Sequence, residues 1–185
     1  MQGVIFCLFK KMVVTRIGPE AWDTLVERSS LSTVGGVFEG STTYPDEDMY
    51  ALVGAASAVT GRPAGELLRA FARFSFPDLA AVDPRFVPPG STARSFLRSV
   101  DSVIHAEVRK QQPGAGLPYF GFEECPPDRL VMLYRSPRGL CDLVAGFIDG
   151  TSDYFAEEIV QAHTQCRRDG HADCRFELHF PARVD

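Results

Sequence analysis

No apolar stretch in this 185-residue chain approaches the roughly 20 residues that a membrane-spanning helix needs. The opening segment, MQGVIFCLFKKMVV, also lacks the polarity of a secretory signal, because its apolar run is short and its lysines follow that run. Both absences point to a cytoplasmic protein with no membrane partner. Basic patches are missing as well. KK at 10–11 and RR at 167–168 are too short to make one, and a net charge of -5 argues against a nucleic-acid ligand. There is no internal repeat, no low-complexity linker, and no nucleophile–base set or pair of carboxylates that would mark an enzyme. The expectation is a protein that binds rather than catalyses.

What is present suffices for an ordinary core. At 45% hydrophobic and 23% charged, the chain fits one globular domain. Ile5, Leu8, Phe9 and Met12 follow the i, i+3, i+4, i+7 spacing of an amphipathic helix. A second helix is expected after GPE at 18–20, with Trp22 and Leu25 inward. A third spans 44–61, opened by Pro45 and a run of acids and closed by Gly61. RPAGELLRAFARF (62–74) reads as a fourth, and a long helix is expected from Ala93 to about Gln111. After the PGAGLP break at 113–118 the pattern changes. YFGFEE and RLVMLYRS read as strands, 140–159 as a helix, and the tail as two strands around the Arg168-Asp169-Gly170 turn. Helices first and an antiparallel sheet last make the fold class α+β.

Two constellations stand out. LYRSPRGLC (133–141) carries Tyr134, Ser136 and Arg138 two residues apart. On a strand that spacing places three hydrogen-bond donors on one face over roughly 13 Å, suited to carboxylates. Upstream, His105 lies between Asp101 and Arg109 at i-4 and i+4. It reads either as one rung of an exposed charge ladder or, from its place beside Ile104 and Val108, as an inward ring able to bind a metal.

Together, DSVIHAEVRKQQPGAGLP and DRLVMLYRSPRGLCDL resemble the heme-nitric oxide/oxygen binding (H-NOX) family, and the likeness extends over nearly the whole chain. The resemblance implies a single domain over 1–185. Residues 1–62 would form a distal helical portion, residues 63–185 a proximal portion with the sheet, and heme would lie between them. It implies His105 as the proximal iron ligand and Tyr134, Ser136 and Arg138 as the clamp on the heme propionates. Ile5 and Pro118 match positions that press on the heme. Because no Cys-x-x-Cys-His motif is present, the group would be non-covalent heme b. A lone histidine ligand leaves ferrous iron five-coordinate and open to gas. Oxygen-binding relatives carry a tyrosine where this chain has Leu143, and Phe9 and Phe147 are also apolar. Oxygen as a ligand carries partial negative charge and needs a donor, so the reading is NO and CO binding without a stable oxygen complex. Ser75 matches a polar position in oxygen-binding relatives and is the one hydroxyl to check. With all 185 residues taken up by the sensor, signalling is expected in trans, to a histidine kinase or to a diguanylate cyclase or phosphodiesterase.

The second constellation is HTQCRRDGHADC (163–174) with Cys141 upstream. Five cysteines are an odd number, and a reducing compartment disfavours disulfides. Cys166 and Cys174 flank the turn. Cys141 begins a helix and can face the hairpin, and His163 can join only if its strand bends or bulges, since i and i+3 point to opposite faces. Three thiolates and an imidazole are a closed structural zinc set. The spacing Cys-x21-His-x2-Cys-x7-Cys resembles a zinc site in a subset of the same family. A Cys166–Cys174 disulfide and His171 in place of His163 are the alternatives, while Cys7 and Cys125 have no visible partner. Two other functional readings remain open: a zinc and thiol redox sensor, and a small-molecule module like the 4-vinyl reductase domain, which shares the Cys…Gly…Cys tail.

Overall fold

The computed structural model describes residues 1–182; the last three positions of the expected 1–185 domain lie outside the described residues. Four helices come first: α1 (Gly3–Arg16), α2 (Pro19–Glu27), α3 (Asp46–Thr60) and α4 (Ala64–Ala80). α3 follows its sequence signals closely. Three acids fill its first turn, where the helix dipole favours them, and Gly61 closes it at φ 70°. α4 runs six residues past the expected 62–74, through Pro77. Phe6, Phe9, Trp22, Leu25, Met49, Leu52, Leu67 and Phe71 form the first core.

The long helix expected at 93–111 appears as α5 (Ala93–Ser99), a π-helical turn at Val100–His105 and α6 (Ala106–Gln111) in direct succession. A capping box between Thr92 and Ser95 starts it. Then come β1 (Tyr119–Glu123), β2 (Arg129–Arg135), α7 (Cys141–Phe155), β3 (Val160–Gln165) and β4 (Cys174–His179). The strands form one antiparallel sheet in the order β1-β2-β4-β3. α7 stops four residues short of the expected 159. Ala156 turns left-handed at φ 49°, and the Glu157 N–H closes back on the Ser152 carbonyl. Sheet and α7 build a second core around Leu130, Met132, Val144, Ile148, Phe176 and Leu178.

α4 joins the two cores. Leu67 and Phe71 belong to the first, Phe76 and Ala80 to the second. It packs on α7 at backbone contact: a Cβ on Gly146 would sit 2.1 Å from the Arg69 carbonyl oxygen, and one on Gly150 2.6 Å from Phe76 Cβ. Two arginine–aspartate forks, Arg69–Asp149 and Arg73–Asp153, close the outer side of the seam. Among the described residues, no helix is long and apolar enough to cross a membrane.

Candidate functional site

Between the two cores lies a cavity of about 560 Å³. Its walls are α1, the end of α4, the long helix, the first two strands and α7, and they are overwhelmingly apolar. That combination of an apolar interior and a few polar groups is typical of a site for a small molecule or cofactor.

On the long helix, Val100, Ile104 and Val108 face the cavity, and His105 joins them. The ring is bonded into the Asp101–Arg109 ladder, yet it is turned in to the cavity and is not an exposed rung. Its Nδ1 lies 3.3 Å from Asp101 Oδ1, which also receives a 2.8 Å bond from Arg109 Nη2. The imidazole itself is only 14% exposed. A carboxylate can only accept, so Nδ1 carries the proton and the Nε2 lone pair is left for a ligand. Burial pushes the His105 pKa down, against the pull of Asp101, and so favours the neutral, ligating form. The ring is flanked by Phe120, centroids 5.6 Å apart.

Tyr134, Ser136 and Arg138 all line the cavity, though not as one strand face. β2 ends at Arg135. Pro137, with no N–H to give, cannot extend the ladder, so Ser136 and Arg138 lie in the turn into α7. The turn gathers them. Ser136 Oγ accepts from the Arg138 N–H at 3.2 Å, and the Arg138 guanidinium donates to Asp46 Oδ2 on α3 and to the Gly116 carbonyl. Asp46 had no sequence signal beyond its place in an acidic first turn. Gln112, also missed, donates to the Ser41 carbonyl at 3.1 Å across the cavity mouth. Its spacing of four from Val108 continues the cavity-facing stripe, which was the available hint.

Ile5, Pro118, Leu143 and Phe147 line the cavity as well. Phe9 is not among the lining residues. It is fully buried in the first core, edge-on to Phe71 at 5.2 Å. Ser75 is also away from the cavity lining, and its hydroxyl donates to the Phe71 carbonyl of its own helix at 2.8 Å. Thr151 does line the cavity, but its hydroxyl is spent in the same way on the Phe147 carbonyl.

The second constellation also assembles. One ligand atom from each of Cys141, His163, Cys166 and Cys174 lies within 4.8 Å of every other. The Sγ atoms of Cys141 and Cys174 stand 3.8 Å and 3.9 Å from that of Cys166. Bonds of about 2.3 Å at tetrahedral angles give a sulfur–sulfur edge of about 3.8 Å, which these two separations match, and three thiols with an imidazole are the donor set of a closed zinc site. At these separations Cys166 and Cys174 are not a disulfide. The bend that His163 needs is present as a register shift between His163 and Gln165. Phe176 stacks on its ring at 4.4 Å and fixes its plane. His171 lies beside the site, lining a crevice with Cys166, and is not in the cluster. Cys7 donates to the Phe38 carbonyl, and Cys125 is a free thiol.

The model of the Haem-NO-binding family matches residues 2–163. Among solved structures, an H-NOX protein from S. oneidensis in the Fe(II)NO state superposes with a TM-score of 0.90 at 25% identity, over 98% of this chain and 100% of that one. The unliganded Fe(II) H-NOX protein from K. algicida gives 0.87 at 28% identity, over 100% and 99%. An H-NOX from Shewanella woodyi in the Fe(II)CO state, bound to IWP-051, gives 0.84 at 28%, over 100% and 97%.

Proposed function

The chain belongs to the Haem-NO-binding family, and from that premise we propose that it is a sensor of nitric oxide, with CO as a second ligand, built on heme b held by His105. The observation that carries this reading is the pairing of a largely buried imidazole, whose Nδ1 is committed to Asp101, with the hydrogen-bonding side chains of Tyr134, Ser136 and Arg138 on the same apolar cavity.

Heme bound there supplies a ferrous iron with one face open to a diatomic gas. The chain's own residues do the rest. His105 offers Nε2 from the long helix. Tyr134, Ser136 and Arg138 would hold the propionates, with Asp46 and Gly116 keeping the guanidinium in place. Ile5 and Pro118, on the cavity wall, would bear on a heme seated there. On the cavity wall that α7 forms, Leu143 and Phe147 are apolar and the Thr151 hydroxyl is spent on its own helix, as is that of Ser75 away from the lining. That wall gives no donor to stabilise oxygen, while NO and CO need none. Without a bond from His105 to iron, the long helix would be held by packing and by polar contacts at its far end, Gln112 to Ser41 and Glu107 to Arg85, and its π turn, a local departure from α winding, is where it would yield. The shift is passed in trans to a histidine kinase or to a diguanylate cyclase or phosphodiesterase. In the cytoplasm the three clustered thiols stay reduced and, with His163, hold zinc that ties the C-terminal hairpin to α7.

Heme content after purification, and after reconstitution with hemin, tests the reading. The wild type is expected to hold one heme and His105→Ala to hold little unless imidazole is added. A wild type that stays colourless with hemin overturns it.

A further inference from the structure

Arg168 stands over the Cys₃His cluster without belonging to it. It lies in the 3₁₀ turn that follows Cys166. Its Nη2 donates to Cys141 Sγ and, at 2.7 Å, to Asp142 Oδ2. Those two acceptors are consecutive residues at the start of α7, so one guanidinium spans the sulfur and the carboxylate beside it. The carboxylate also lies close against α4: a Cβ on Gly65 would lie 2.8 Å from Asp142 Oδ2. A second N–H reaches sulfur from the same turn, the Arg167 backbone to Cys174 at 3.4 Å.

The charges give this contact its meaning. Three thiolates, a neutral imidazole and a divalent zinc sum to one negative charge. Arg168 sets a positive charge directly against the Cys141 sulfur, and the Asp142 carboxylate, negative in its own right, holds that charge in place. A thiolate that accepts an N–H from a cation gives up electron density, which makes it a weaker nucleophile and a better-kept ligand. Exposure decides where that matters. Cys141 and Cys174 are buried, and Cys166 opens onto the crevice shared with Arg168 and His171.

We propose that Arg168, anchored by Asp142, is the counter-charge of the zinc–thiolate centre and sets how fast the half-buried Cys166 thiolate reacts with electrophiles. This rests on the zinc reading above. Arg168 is a positioning and charge-tuning residue, not a ligand.

Iodoacetamide is the probe. The thiolate sulfur forms a bond to the methylene carbon, the carbon–iodine bond breaks, and iodide leaves. The neutral thioether then loses its hold on the metal, which a chromophoric chelator reads as released zinc. Metal analysis of the wild type comes first; a protein without one zinc overturns the zinc reading and this inference with it. With zinc present, Arg168→Met is expected to release it about tenfold faster, and Arg168→Lys, which keeps the charge, to fall between. Among the three clustered cysteines, mass spectrometry should place the first alkylation on Cys166, and the heme spectrum should not change. Asp142→Asn, which loosens the anchor and leaves the arginine, should also speed release and carries the test if Arg168→Met does not fold. An Arg168→Met protein that folds, binds heme and purifies without zinc also supports the counter-charge. Equal rates in wild type, Arg168→Met and Asp142→Asn, in a protein that does hold zinc, overturn this inference alone.

Discussion

Arg138 Nε donates to Asp46 Oδ2 at 2.5 Å, joining residues 92 apart in sequence and tying the turn after β2 to the first turn of α3. The same carboxylate lies 2.8 Å from the Met1 ammonium. The guanidinium that we assign to a heme propionate is therefore oriented from the opposite portion of the molecule. Asp46→Asn keeps the shape and removes the charge. Loss of this charge-assisted bond should weaken heme retention by about 1–2 kcal/mol, a five- to thirtyfold faster transfer of heme to an acceptor protein.

The pair also sets a pH dependence. Burial alone would raise the Asp46 pKa, but the bond from Arg138 and the nearby ammonium outweigh it and hold the carboxyl below 3.8. A depressed folded pKa gives stability that is present above the unfolded value and is lost as pH falls through the folded one. Acid unfolding below about pH 4 should therefore be shallower in Asp46→Asn than in the wild type, read by circular dichroism across a pH series.

Leu143 lines the cavity from α7, the helix whose Thr151 hydroxyl is spent on its own Phe147 carbonyl. Leu143→Tyr places a phenolic donor there. The ferrous wild type should show no stable oxygen spectrum in air, and the variant should gain one while still binding NO. An unchanged spectrum in the variant would mean that the wall does not govern the choice of gas.

Gly146 has no room for a side chain, because a methyl would overlap the Arg69 carbonyl. Gly146→Ala must push α4 from α7, at about 1–3 kcal/mol. Thermal unfolding should drop by roughly 3–10 °C. Since α4 serves both cores, heme loss should accelerate too.

Much of this was legible in the sequence because it rests on local rules. Helical spacing marked α1 and the long helix, and acids with a closing glycine marked α3. The difference in face between i and i+3 required the bulge that brings His163 to Cys166. What stayed hidden depends on tertiary contact. Tyr134, Ser136 and Arg138 meet through a turn that Pro137 imposes, not through strand alternation. Phe9 shares the amphipathic spacing of Ile5, yet it packs inward on Phe71 while Ile5 reaches the cavity. Asp46 as the partner of Arg138, Gln112 across the cavity mouth and Arg168 over the thiols are pairings between distant segments, which spacing along one element cannot show.

The most direct test of the central claim is the iron–histidine stretching band in the resonance Raman spectrum of the ferrous protein, recorded before and after one equivalent of NO. The account predicts the band in the unliganded protein, its loss with NO, and its absence from His105→Ala at the start. A ferrous protein with no such band, or one that keeps it unchanged in His105→Ala, would contradict the account.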